Sequence, residues 1–177
     1  MSTDLSEIQV IAPGLVESRG KSRVLRNPGV PLGELLLGFE DYLSSPVERR
    51  VRLSSSQDVG VLRSVGALLA GETALAYVSD LAHDDSRTVV ALDKVGLERL
   101  RESLGDAWSE APWYEPCLTE VEVWSYPVDA PSDVSLLASG LKSVDSLSIY
   151  VECSKRKTDD VRFADAVAQL REKLCRR

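Results

Sequence analysis

The sequence predicts an α+β fold: a mixed or mostly antiparallel sheet of four to five strands with helices packed on one face. Three observations predict it. Segments of two-residue and of helical apolar period follow one another from residue 57 in the order α, β, β, α, β, short α, β, α. Helix-capping residues and glycines fall at the ends of the helical stripes. At 177 residues the chain fits one domain with an appended arm, divided as a Gly/Pro-rich basic arm over 1–33 and a single α+β domain over 34–177.

Each element has its own signal. The arm holds Pro13, Gly14, Gly20, Pro28, Gly29, Pro31 and Gly33 around Arg19, Lys21, Arg23 and Arg26, a density of breakers that leaves room for one short strand at 8–11 and predicts a flexible extension. Leu35, Leu36, Phe39 and Leu43 mark a short helical piece before Pro46. Residues 47–53 read as a strand. Ser54, Ser55 and Ser56 are candidate N-caps for a helix carrying Val59, Leu62, Val65 and Leu69, which Gly71 would end. Residues 73–80 and 87–93 read as a β-hairpin around the polar stretch 82–86, with His83 exposed. Asp93 caps a helix with Leu97, Leu100 and Leu104, closed by Gly105. Residues 118–126 alternate as a strand, 132–141 form a short helix, and Leu147, Ile149, Val151 and Cys153 share one face of a further strand. The last helix, from 159 or 160 to about 174, carries Phe163, Val167, Leu170 and Leu174.

Composition narrows the chemistry. The 21 basic against 28 acidic residues give a formal charge of −7, which disfavours nucleic acid, whose phosphates require clustered Lys and Arg. No apolar run approaches a membrane span, and the polar N-terminus lacks a signal-peptide core. Cys117, Cys153 and Cys175 form no CxxC pair and, with His83 alone, complete no familiar zinc spacing. A reducing, cytoplasmic setting is expected, with no cofactor and no metal. One histidine excludes every mechanism that needs several.

Four segments come close to known motifs. In IQVIAPGLVESRGKS, five residues separate Gly14 from Gly20 where a P-loop requires four. Ala12-Pro13-Gly14 with Leu53-Ser54-Ser55-Ser56 is similar to the two sequence blocks of GHMP small-molecule kinases, without the glycines of that family's phosphate loop. His83-Asp84 resembles the HD phosphohydrolases in those two letters, without the further histidines that hold their metals. The nearest match is SIYVECSKRK at 148–157, which resembles the strand-and-helix segment of the PD-(D/E)xK nucleases. That resemblance implies a metal-dependent nuclease or phosphodiesterase in which Glu152 supplies the acid, Glu122 or Asp145 its upstream partner, and Lys155 the lysine. The pattern departs from the family where Ser154 stands two residues after Glu152, and Lys155 has the opposite strand parity.

The main functional expectation is a non-enzymatic interaction or regulatory protein. Trp108, Trp113, Tyr114, Trp124 and Tyr126 are half of the ten aromatic residues and fall within one stretch. Together with Glu120 and Glu122 on one strand face, Trp108, Trp113, Tyr114 and Trp124 are the expected partner contacts. The rings supply contact area at low entropic cost and the acids attract a basic protein. A larger assembly that orders the arm on contact is the related expectation. The ionisable side chains are not expected to converge into a working reaction centre.

Overall fold

The computed structural model describes residues 16–19, 22–25, 36, 40, 43–84, 86–128, 137, 139–156 and 159–176. The chain divides into two compact units, one formed by Ser44–Arg171 and the other by Met1–Leu43 with Glu172–Arg177. In the second of these, β1 (Val16–Arg19) and β2 (Ser22–Leu25) pair antiparallel, Val16 opposite Leu25 and Arg19 opposite Ser22. Regular structure therefore forms inside the breaker-rich stretch. The strand expected at 8–11 lies outside the described residues, as do most of the helical piece at 35–43, of which Leu36 is helical and buried, and most of the helix expected at 132–141.

The larger unit is built on β3 (Val47–Leu53), β4 (Leu68–Leu69), β5 (Thr88–Leu92) and β6 (Thr119–Trp124) in the order β3-β6-β5-β4. β3 runs antiparallel to β6, β6 parallel to β5, and β5 antiparallel to β4. The parallel pair requires a crossover, which α3 (Lys94–Leu104) supplies. A mixed four-stranded sheet with helices is the α+β class that the periodicities predict.

Register sorts the side chains onto two faces. Leu53, Leu69, Val90, Leu92, Val121 and Val123 share the first and are all buried. α3 lies against this face so closely that a Cβ at Gly96 would come within 2.7 Å of Leu92 Cδ2. The second face carries Arg50, Arg52, Val89, Ala91, Glu120, Glu122 and Trp124. α2 (Gly71–Val78) and α4 (Ser146–Ser154) approach it, Gly71 beside Val89 and Arg156, just past α4, beside Glu122. All six residues of β6 are buried, so helices cover both faces rather than one. Among the described residues no helix is long and apolar enough to cross a membrane.

Two expected strands are helices. Of residues 73–80, those up to Val78 belong to α2, because Gly71, Ala74, Leu75 and Val78 recur at helical spacing and the first three are buried. With that helix the expected hairpin disappears, although β5 forms as predicted and His83 is exposed, its ring edge-on to Tyr77. Residues 146–154 form α4: the apparent alternation misleads since Ile149, Tyr150, Val151, Glu152 and Cys153 are buried without regard to parity. Asp145 starts this helix by accepting from Ser148 N at 2.9 Å and Ser148 Oγ at 2.6 Å.

Other boundaries moved less. Asp58, rather than Ser54 to Ser56, caps α1 (Val59–Ser64), accepting from Gly60 N at 2.7 Å. This helix stops early, at Gly66 (φ +79°), and Leu68–Leu69 becomes an edge strand. Asp93 caps α3 and Gly105 (φ +48°) closes it, as expected. In α5 (Val161–Cys175) the buried stripe includes Phe163, Ala166 and Leu170, with Ala166 in place of Val167.

Candidate functional site

The second face of the sheet gathers charge. The two-residue period of β6 places Glu120 and Glu122 on this face, and antiparallel pairing sets Arg50 opposite Glu122 and Arg52 opposite Glu120. α4 contributes Glu152 and, one turn later, Arg156. α2 adds Glu72 in its first turn, and Arg87 precedes β5. Ionisable groups from several parts of the chain therefore gather at this face. Helical spacing, i to i+4, is what brings Glu152 and Arg156 together, a relation hidden while the segment reads as a strand.

The groups form one ion-pair network. Arg156 donates from Nη2 to Glu122 Oε1 at 2.7 Å and from Nε to Glu152 Oε1 at 3.2 Å, and its Nη1 lies 3.7 Å from Glu72. Arg50 pairs with Glu152 and sets its Nε 3.3 Å from Glu120 and 3.8 Å from Glu122. Arg87 pairs with Glu72 and reaches Glu120 Oε2 at 3.2 Å. Ser45 donates its hydroxyl to Glu152 Oε2 and accepts from Val47 N at 3.2 Å. Beside the network lies a cavity of about 530 Å³ lined by Ser45, Val47, Arg50, Glu120, Glu152, Lys155 and Arg156. Glu72 and Arg87 border a second cavity of about 620 Å³ that His83 also lines.

Gly71 makes this packing possible. Its φ of +51° lies in the left-handed region, and a Cβ there would sit 2.9 Å from Arg156 Nη2 and 3.1 Å from Glu122 Oε1. Glu122 is fully buried, and its Oε2 has no hydrogen-bond partner. Burial first, then the Glu152 charge, pushes its pKa up to about 7 against the opposing pull of Arg156 and Arg50. Burial also pushes the Cys153 thiol up to about 12. For Arg156, burial opposes the charge but the facing carboxylates outweigh it, and its pKa is raised.

These positions redistribute the expected partner contacts. Glu120, Glu122 and Trp124 are buried, with exposures of 6%, 0% and 3%, and offer no surface. Strand parity grouped them correctly, but the face it assigned to solvent is covered by α2 and α4. Trp108 is half-buried, its Nε1 donating to Glu110 at 3.1 Å and the Arg101 guanidinium 4.9 Å from its ring centre. Trp113 and Tyr114 remain outside, 86% and 69% exposed, their rings edge-to-face at 5.7 Å. Arg52, which sequence reading passed over, donates to the carbonyls of Pro112 at 2.6 Å and Glu115 at 2.7 Å and so holds both ends of the turn that presents them.

The metal-centre expectation meets a different arrangement. Residues 148–154 lie in α4, so they lack the strand on which the nuclease resemblance depends. Asp145 is the cap of α4 and Lys155 lines the cavity. Glu122 and Glu152 do meet, but across the Arg156 guanidinium, which already occupies the position of a cation between them. Among the described residues no group of three His, Cys, Asp or Glu side chains is placed to hold a metal. Comparison with family models, curated proteins and solved structures returns no match.

Proposed function

We propose that the chain is a non-enzymatic protein-interaction module that presents Trp113 and Tyr114 to a basic protein partner. The observation that carries this reading is the joint exposure of these two rings on a turn whose backbone Arg52 holds. Large apolar side chains left this open on a rigid support favour binding, since little ordering remains to be done on contact. Asp106, Glu110 and Glu115 are exposed and lie within seven residues of Trp113 in sequence, and the whole chain carries −7. An arginine or lysine of the partner would stack on an indole face while the acids steer its approach. The charge network that shares a sheet face with Arg52 does no chemistry in this reading. A cytoplasmic, reducing setting suits the three free cysteines.

The test is a titration of the protein with arginine- and lysine-rich peptides, read by tryptophan fluorescence and by calorimetry. Binding that weakens with salt and falls at least tenfold in W113A/Y114A is expected. Equal binding by the double variant, or no binding by any peptide at low salt, would sink the proposal.

A further inference from the structure

We propose that the charge network on the second sheet face is a proton-binding site, with Glu122 as the group that holds the proton and couples the stability of the fold to pH. This goes beyond the interaction reading and stands without it.

Glu72, Glu120, Glu122 and Glu152 face Arg50, Arg87 and Arg156, with Arg52 opposite Glu120 and Lys155 on the wall of the adjoining cavity. A carboxylate buried among them without enough donors is costly to keep ionised, and a proton removes that cost.

Donor supply decides where that proton sits. Glu152 accepts from Ser45, Arg50 and Arg156. Glu120 has Arg50 and Arg87 within 3.3 Å, and Glu72 is partly exposed and pairs with Arg87. Glu122 has the least: one close donor, Arg156, with Arg50 at 3.8 Å. Its second oxygen is buried and unpartnered. An ionised carboxylate in that position leaves an acceptor unsatisfied away from water, whereas the protonated form carries no net charge.

Several elements bring titratable and charged groups around Glu122. Its own strand contributes Glu120, β3 contributes Arg50, and α4 with the residues after it contributes Glu152, Cys153, Lys155 and Arg156. α2 contributes Glu72, and Arg87 reaches the network ahead of β5. Cys153 stays a neutral thiol through the neutral range. The 530 Å³ cavity reaches Arg50 and Arg156, the two cations nearest Glu122, and gives solvent a route to the network.

Burial and the Glu152 charge raise the Glu122 pKa from 4.5 to about 7, so the folded chain holds this proton about 300-fold more tightly than an ordinary glutamate. The sign follows. Between these values the folded state binds more protons than the unfolded one, so stability is fully present below 4.5 and is lost as pH rises through 7.

The experiment is a carbon-13 NMR titration of side-chain carboxyls in the full chain labelled at glutamate, with E122Q to assign the resonance. One carboxyl titrating between pH 6 and 8 in the wild type, and missing in E122Q, is expected. No carboxyl titrating in that range would overturn the proposal, and this readout needs only the wild-type chain should E122Q fail to fold. Urea unfolding supplies the second readout. From pH 5 to pH 8 the wild-type folding constant should fall about 70-fold relative to E122Q, and parallel curves would also overturn it.

Discussion

Replacing Arg156 by methionine removes the cation at the centre of the network while keeping much of its volume. At pH 8 the variant leaves Glu122 without its 2.7 Å donor and Glu152 without one of three. Charge-assisted hydrogen bonds contribute about 1.5–3 kcal/mol each, and removing one partner of a buried pair costs about 3–5 kcal/mol. The expected loss is therefore about 3–5 kcal/mol at pH 8. At pH 5.5 Glu122 is already neutral, so only the Glu152 contact is forfeited and the loss shrinks by about 2 kcal/mol. E122Q introduced beside R156M should recover a similar amount at pH 8, the coupling expected of two groups in direct contact. The assay is urea unfolding followed by circular dichroism, with the four chains of the cycle measured at both pH values. A loss below about 1 kcal/mol at pH 8, an equal loss at both pH values, or no recovery with E122Q would each refute the reasoning.

Gly71→Ala should destabilise by about 2–3 kcal/mol in thermal unfolding, because it forces a Cβ into a left-handed backbone and against Arg156 and Glu122. Asp145→Ala should cost about 1 kcal/mol through loss of the α4 cap, while D145N, which retains an acceptor, should cost less. Cys153 should resist thiol reagents in the folded chain at pH 8 and react once urea unfolds it, since with a pKa of about 12 only about one thiol in 10,000 is ionised there.

Three of the four strands in the mixed sheet, β3, β5 and β6, were legible because they carry clear local signals, whereas β4 fell inside an expected helix. Val121 and Val123 alternate with Glu120 and Glu122, and Asp93 and Gly105 bracket α3 as the capping rules require. Two helices were not legible. In 146–154 an alternating apolar series overlies a helix buried on most sides, and periodicity cannot separate the two when both parities are buried. The capping pair Asp145 and Ser148 was the available signal. In 71–78 the residues Ala74, Leu75 and Val78 have helical spacing, but the valine and tyrosine near the end favoured a strand.

The site was legible only in part. Glu122 and Glu152 were singled out for their chemistry and do meet, but Arg50, Arg87 and Arg156 were not recognised as their partners. Arg156 depends on the helical reading of its segment, and Arg50 on a strand pairing distant in sequence. Exposure was the other gap. Alternation tells which residues share a face but not what covers it, so Glu120, Glu122 and Trp124 were expected at the surface and lie beneath α2 and α4. Trp113 and Tyr114 sit in a turn between prolines, where little of the chain is available to cover them.

The interaction reading is tested most directly by capture from the native host with equal amounts of folded wild type and W113A/Y114A. A basic protein retained in stoichiometric amount by the wild type, released by salt and lost from the double variant, is the predicted result. The same proteins retained equally by both chains would contradict it.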